Sequence, residues 1–150
     1  MVDVGRKAVT AREAEAEGRL VMSPSTFEAL MHGGTAKGDP LVVAQIAGIQ
    51  AAKRTGDLIP LCHPLGLDSI DVDIAPDADL PGVRARATVR VSGRTGVEME
   101  ALTAVTVALL TVYDMLKALE RGMRIEGVRL VHKSGGRSGT WSAGDDVRPR

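Results

Sequence analysis

The sequence predicts one α+β domain, with helices packed on one face of an antiparallel sheet. Three observations carry this. Segments 70–74 and 83–91 alternate apolar and polar residues with the period of half-buried strands. Asp77, Pro81 and Gly82 lie between them and turn the chain. Segments 41–54 and 103–119 instead repeat their apolar residues at helical spacing.

Taken in order, residues 3–18 are polar and charged, with alanine and glutamate throughout, and are expected to form a loosely held arm. Residues 19–22 are a short strand candidate. Ser23 and Pro24 open a helix to Met31, with serine as cap and proline at the first helical position. Gly33 and Gly34 end it, and a glycine-rich loop at 32–40 holds Lys37-Gly38-Asp39. The second helix, 41–54, sets Leu41, Ala44, Gln45, Gly48 and Ala52 on one stripe, where Gly48 admits a close neighbour. Gly56 stops it. In 58–65, Pro60 and Pro64 exclude a regular helix and disfavour a central strand. A rigid, extended, mostly buried loop is expected there.

The two strands suit a hairpin. Pairing Asp73 with Arg84 and Asp71 with Arg86 puts both apolar sets on one face. The helix 103–119 is the longest, with Gly122 just beyond it. Segment 123–131 is the last strand, and its alternation changes phase at Gly127, which predicts a bulge. The domain spans 1–150, with 1–18 and 142–150 loosely ordered.

Nineteen basic and nineteen acidic residues cancel, so nothing in the charge balance calls for nucleic acid or an anionic membrane. Phe27, Tyr113 and Trp141 are the only aromatics, too few for a base-stacking platform. The N-terminus lacks the basic and apolar regions of a signal peptide. The apolar run 101–113 falls short of the roughly 20 residues that span a bilayer. Cys62 is the single cysteine, so no intrachain disulfide forms, which fits a cytoplasmic setting.

Four groups of residues can carry chemistry. His63 suits proton transfer near neutral pH, or is a core histidine satisfied by backbone. Its neighbour Cys62 reads as a buried thiol rather than a nucleophile or metal ligand. Glu98 and Glu100 sit beside a helix start, where carboxylates favour the helix dipole or hold a ligand. Gly93 and Gly96 leave the preceding turn open. Asp114 and Lys117 are three apart and share a helix face. They follow an apolar run, so partial burial and shifted pKa values are expected, which suit acid–base work. Lys133 with Ser134-Gly135-Gly136-Arg137 combines glycine amides and cations, as an anion site requires. Lys37 and Lys53 add charge near the pocket loops. The histidines and the cysteine lack close ligand spacing, so no protein-held metal is expected. Fourteen residues separate Glu100 from Asp114, about 21 Å along a helix. Either Glu100 precedes the helix or each pocket draws on two subunits; the second is favoured.

Six runs in order resemble one family, the cyclic pyranopterin monophosphate synthases (molybdenum cofactor biosynthesis protein C). They are Lys37-Gly38-Asp39, the run 46–53, the run 58–64, the run 95–104, Tyr113-Asp114-Met115 with Lys117, and Lys133-Ser134-Gly135-Gly136. The resemblance extends from Met1 to about Trp141. It implies a ferredoxin-like antiparallel sheet and a homohexamer, a trimer of dimers with interface active sites. It implies conversion of (8S)-3′,8-cyclo-7,8-dihydroguanosine 5′-triphosphate to cyclic pyranopterin monophosphate with release of diphosphate. The catalytic pair falls on Asp114 and Lys117. Substrate-binding segments fall on Leu61, Cys62 and His63 and on Met99 and Glu100. Glu98, Lys37 and Lys133 match further pocket residues, and Arg12 is a further candidate. No resident cofactor is implied, and Mg²⁺ can accompany the substrate triphosphate. Family members often carry another strand ahead of the segment matching Met1 to Val4, which leaves the first sheet edge open. Two other readings make different predictions. A non-catalytic nucleotide-binding module would release no diphosphate. A metal-dependent phosphohydrolase built on Glu98, Glu100, Asp114 and His63 would lose activity to a chelator.

Overall fold

Strand β1, Thr10–Val21, is the spine of the sheet. The computed structural model describes residues 1–33, 35 and 37–144. In it β1 pairs along its whole length with β3, Gly82–Gly93, and on its other side with β4, Arg124–Ser134. Residues 10–18 are therefore not a loose arm. Ala14, Ala16 and Leu20 are fully buried, while Glu13, Glu15, Glu17 and Arg19 take the alternate positions. The period of two was present, but carried by alanine and glutamate, which favour helices when isolated. Burial between two strands overrides that preference.

Strand β2, Ser69–Asp77, pairs antiparallel with β3, and the short β5, Trp141–Ser142, with β4. The order is β2-β3-β1-β4-β5, all antiparallel. The first four strands, with the helical connections from β1 to β2 and from β3 to β4, give the ferredoxin-like arrangement. Ser142 thus belongs to the sheet, whereas tail residues 145–150, and Gly34 of the expected helix stop, lie outside the described residues.

The hairpin differs from expectation by two residues. Asp73 faces Arg86 and Asp71 faces Thr88, because β2 runs on to Asp77, which faces Gly82. A shift of two preserves the side-chain faces, so the apolar set stays inside. Arg84 turns to Asp77 instead. The bulge is where the alternation put it. Between the Arg19–Glu126 and Glu17–Arg129 pairs one strand has an extra residue, and Gly127 takes φ +65°.

Helix α1, Pro24–Met31, is capped by Ser23, whose Oγ accepts from the Thr26 N–H (3.3 Å). Helix α2, Pro40–Lys53, is capped by Asp39, which accepts from the Leu41 N–H (2.8 Å). A short turn, α3, covers Thr55–Leu58. Helix α4, Glu98–Leu116, starts five residues before its expected origin, with Glu98 and Glu100 in its first turn. By length and composition α4 is able to cross a bilayer. Its nine buried residues, from Glu100 to Leu116, make it the core helix instead. Close approach is achieved by omitting side chains. A Cβ on Gly18 would lie 3.0 Å from Leu109 and Val105 of α4, and one on Gly48 would lie 3.0 Å from the Ala104 carbonyl. α2 and α4 cover one face, and the other face carries ion pairs.

Candidate active site

Helix α4 carries chemical groups at both ends, and the two ends differ. At its N-terminal end, Thr95, Gly96 and the loop around His63 border a half-open pocket of about 150 Å³. Leu61, Cys62 and His63 line one side, and Glu98, Met99 and Glu100 the other. Glu98 pairs with Lys133 from β4 (3.4 Å). Lys133 also donates to Ser138 Oγ (2.8 Å). Gly96 leaves room for the Glu98 carboxylate, which a Cβ there would meet at 2.0 Å and displace.

Glu100 is only 4% exposed. Burial pushes its carboxyl up, the adjacent Glu98 charge adds to that, and a hydrogen bond from its own backbone opposes it. Burial, with the Glu100 charge second, also pushes the Cys62 thiol up, so at neutral pH it is a thiol and not a thiolate. The stretch 58–65 is neither extended throughout nor mostly buried: Leu58 ends α3, and the Cys62 N–H donates to the Ile59 carbonyl (3.0 Å) across a turn. Leu61 is 71% exposed and Leu58 is exposed, since the prolines hold this stretch outside the sheet and beyond the core. The Val2 carbonyl accepts from His63 Nε2–H (2.8 Å).

Arg12 ties this end together. Its Nε–H donates to the Gly93 carbonyl (3.0 Å) and its terminal N–H to the Arg94 carbonyl (3.3 Å). Gly135 and Gly136 have φ of +91° and +73°. A Cβ on Gly135 would strike the Ala11 carbonyl, and one on Gly136 the Arg12 guanidinium, both near 2 Å. Contact with β1 thus accounts for both glycines without a bound anion. The Thr95 and Leu65 contributions to the cavity, and the Val2 contact, were missed from sequence. The glycines flanking Arg94-Thr95 were the only local signal for the first.

At the C-terminal end of α4, Asp114 receives Lys117 Nζ on one oxygen (2.6 Å) and Lys37 Nζ on the other (3.1 Å). The expected partial burial is absent. The Asp114, Lys117 and Lys37 side chains are 52%, 53% and 58% exposed. The pKa shifts therefore come from pairing. Lys117 first, then Lys37, holds the Asp114 carboxyl below the usual carboxylate range, and Asp114 pushes Lys117 up. Both partners are held in their charged forms.

Glu100 lies within α4, so it does not precede the helix, and the separation of about 21 Å from Asp114 stands. One chain does not bring His63, Glu100 and Lys133 to Asp114, Lys117 and Lys37. Among the described residues no three His, Cys, Asp or Glu side chains gather as a metal site. His32 bonds the Glu28 carbonyl and His132 the Ser142 hydroxyl. A concavity of about 640 Å³ lies on the open face of the sheet. Its arginines are already matched: Arg19 with Glu126, Arg84 with Asp77, Arg86 with Glu15, Arg129 with Glu17. With those arginines matched inside the face, the two ends of α4 are the better candidates.

Residues 1–136 match the family model described as the MoaC family. The chain is 64% identical over 143 residues to a protein of Methylobacterium sp. (strain 4-46), covering 95% of this chain and 89% of the relative. It is 55% identical over 150 residues to one of Brucella melitensis biotype 2, covering 100% and 91%. It is 59% identical over 141 residues to one of Chloroflexus aggregans, covering 94% and 86%. Each relative is named cyclic pyranopterin monophosphate synthase.

Proposed function

The chain belongs to the MoaC family, and we propose that it catalyses the reaction its relatives are named for, forming cyclic pyranopterin monophosphate in molybdenum cofactor biosynthesis. The observation that carries this is the near-complete match to those relatives. The substrate is (8S)-3′,8-cyclo-7,8-dihydroguanosine 5′-triphosphate, and diphosphate leaves.

Two kinds of work are needed. Ring opening and reclosure move protons on and off nitrogen and oxygen, and Asp114 with Lys117 serve as base and acid. Closing the cyclic phosphate joins a ribose-derived hydroxyl oxygen to the α-phosphorus and breaks the α–β P–O bond. The hydroxyl proton passes to a base, and the electrons leave with diphosphate. Lys37, Lys133 and Arg137 neutralise charge that grows in that step. His63, Glu100, Leu61, Cys62, Met99 and Glu98 hold the pterin and ribose. Mg²⁺ travels with the triphosphate.

Asp114 and Lys117 enter the reaction from a tight, solvated ion pair. Drying the cluster would push the Asp114 carboxyl up and the Lys117 ammonium down, bringing the two pKa values closer. A second subunit covering the cluster supplies that condition. We therefore read the working form as a homohexamer, a trimer of dimers, in which one subunit's His63–Glu100 end meets another's Asp114 end. The exposed Val42, Val43, Ile46, Leu58, Leu61 and Leu110 support subunit contacts. The activity belongs in the cytoplasm, where the unpaired Cys62 stays reduced. The test is incubation of the purified chain with the cyclised triphosphate. Equal amounts of diphosphate and cyclic phosphate product are expected, and nucleotide binding without diphosphate release would reject the reading.

A further inference from the structure

Ahead of β1 the chain folds into tight turns. The Asp3 carboxylate accepts from the Gly5 N–H (2.7 Å), and the Lys7 N–H donates to the Val4 carbonyl (3.0 Å). Those turns deliver the Val2 carbonyl to His63 Nε2, 2.8 Å away and 61 residues distant in sequence. A carbonyl oxygen only accepts, so Nε2 carries the proton. In the neutral ring Nδ1 is then bare and is the acceptor. His63 borders the cavity that also holds the buried Glu100.

We propose that the N-terminal segment is a positioning strap, whose Val2 carbonyl holds His63 as the Nε2–H tautomer. The ring then meets a ligand as an acceptor at Nδ1 and selects for a ligand N–H. A guanine-derived ring offers such N–H groups. The carboxylates of Glu98 and Glu100 across the cavity are acceptors too when ionised, so this wall reads donors on the ligand. Val2 is the positioning residue, acting through His63. The ligand-reading half rests on the proposed synthase reaction; the tautomer does not.

The test compares the full chain with one lacking residues 1–3, and with Asp3→Ala, which keeps Val2 but releases the first turn. Histidine labelled with nitrogen-15 is followed by NMR without substrate, under alkaline conditions, with His63→Gln to assign the signals. The full chain should show one His63 nitrogen fully protonated and the other fully bare. Truncation should move both shifts toward their midpoint, as the ring samples both tautomers, with a smaller move for Asp3→Ala. In turnover, truncation should raise KM roughly tenfold, the scale of one hydrogen bond, with kcat within about twofold. An unchanged His63 signature after truncation, or an unchanged KM, overturns the proposal. The nitrogen shifts need no substrate, so failure of the synthase reading leaves that arm able to decide the tautomer.

Discussion

The two ends of α4 hold carboxylates in opposite situations. Glu100 is buried beside another carboxylate, and desolvation pushes it up. Asp114 is half exposed between two lysines, and their charges hold it down. One helix thus presents a carboxyl that resists ionisation and another that resists protonation. Burial alone does not mark a chemical site, and neither does a shifted pKa. The first end is already a small, half-open pocket with two carboxylates in its wall. The second is an open cluster of charges that gains reactivity from whatever comes to cover it.

Several substitutions break or sharpen this contrast. The largest effect is expected for Asp114→Asn, which should lower kcat by about 10³-fold, within the usual range for general acid–base groups. Its Tm should not change, because a solvated ion pair adds little. Calorimetry beside a turnover assay checks both.

Glu100→Gln should act in the opposite sense on stability. A raised folded-state pKa means the fold prefers the protonated carboxyl. The fold gives up stability as pH rises through the ordinary carboxylate range. Removing the charge should therefore raise stability at neutral pH by on the order of 1 kcal/mol, roughly 2–4 °C in Tm. The gain should vanish in acid, while activity falls. A Tm series against pH reads this directly.

A smaller effect is expected of Gly96→Ala, whose methyl group displaces the Glu98 carboxylate and loosens its pair with Lys133. KM should rise a few-fold, the scale of one weakened polar contact, with the fold intact. Lys117→Ala should lower turnover as far as Asp114→Asn does, since it removes the other half of the acid–base pair. Its smallest effect is on titration. Asp114 then loses its larger source of depression, and its titration should move up toward the ordinary carboxylate range while remaining below it, since Lys37 stays. Carbon-13 NMR of the carboxyl checks the direction. The stability tied to Asp114 ionisation is present above the unfolded value and is lost as pH falls through the depressed one. It should be slight.

Much of the fold was legible because its signals are local. Ser23-Pro24 and Gly127 announce a cap and a bulge through backbone chemistry that needs no partner. β1 was not legible, because the cue lay in what its alanines pack against. Gly18 is explained by Val128, Val105 and Leu109, all of them distant in sequence. The hairpin register slipped by two because parity is written in the strands, while loop length is set by how far β2 runs. At the site, the residue types at 63, 98, 100, 114, 117 and 133 could be picked out, and the resemblance grouped them. Their division into two clusters could not be placed until Glu100 was found inside the helix. The exposure of Asp114 was hidden too, since an apolar run before it says nothing about the face it occupies.

The separation along α4 is best tested by mixing two inactive chains. His63→Ala damages one end and Asp114→Asn the other. If each working pocket takes one end from each of two subunits, unfolding and reassembling an equal mixture should restore turnover to about a quarter of the native level, the random share of pockets with both halves intact. A mixture no more active than either parent would contradict a shared pocket.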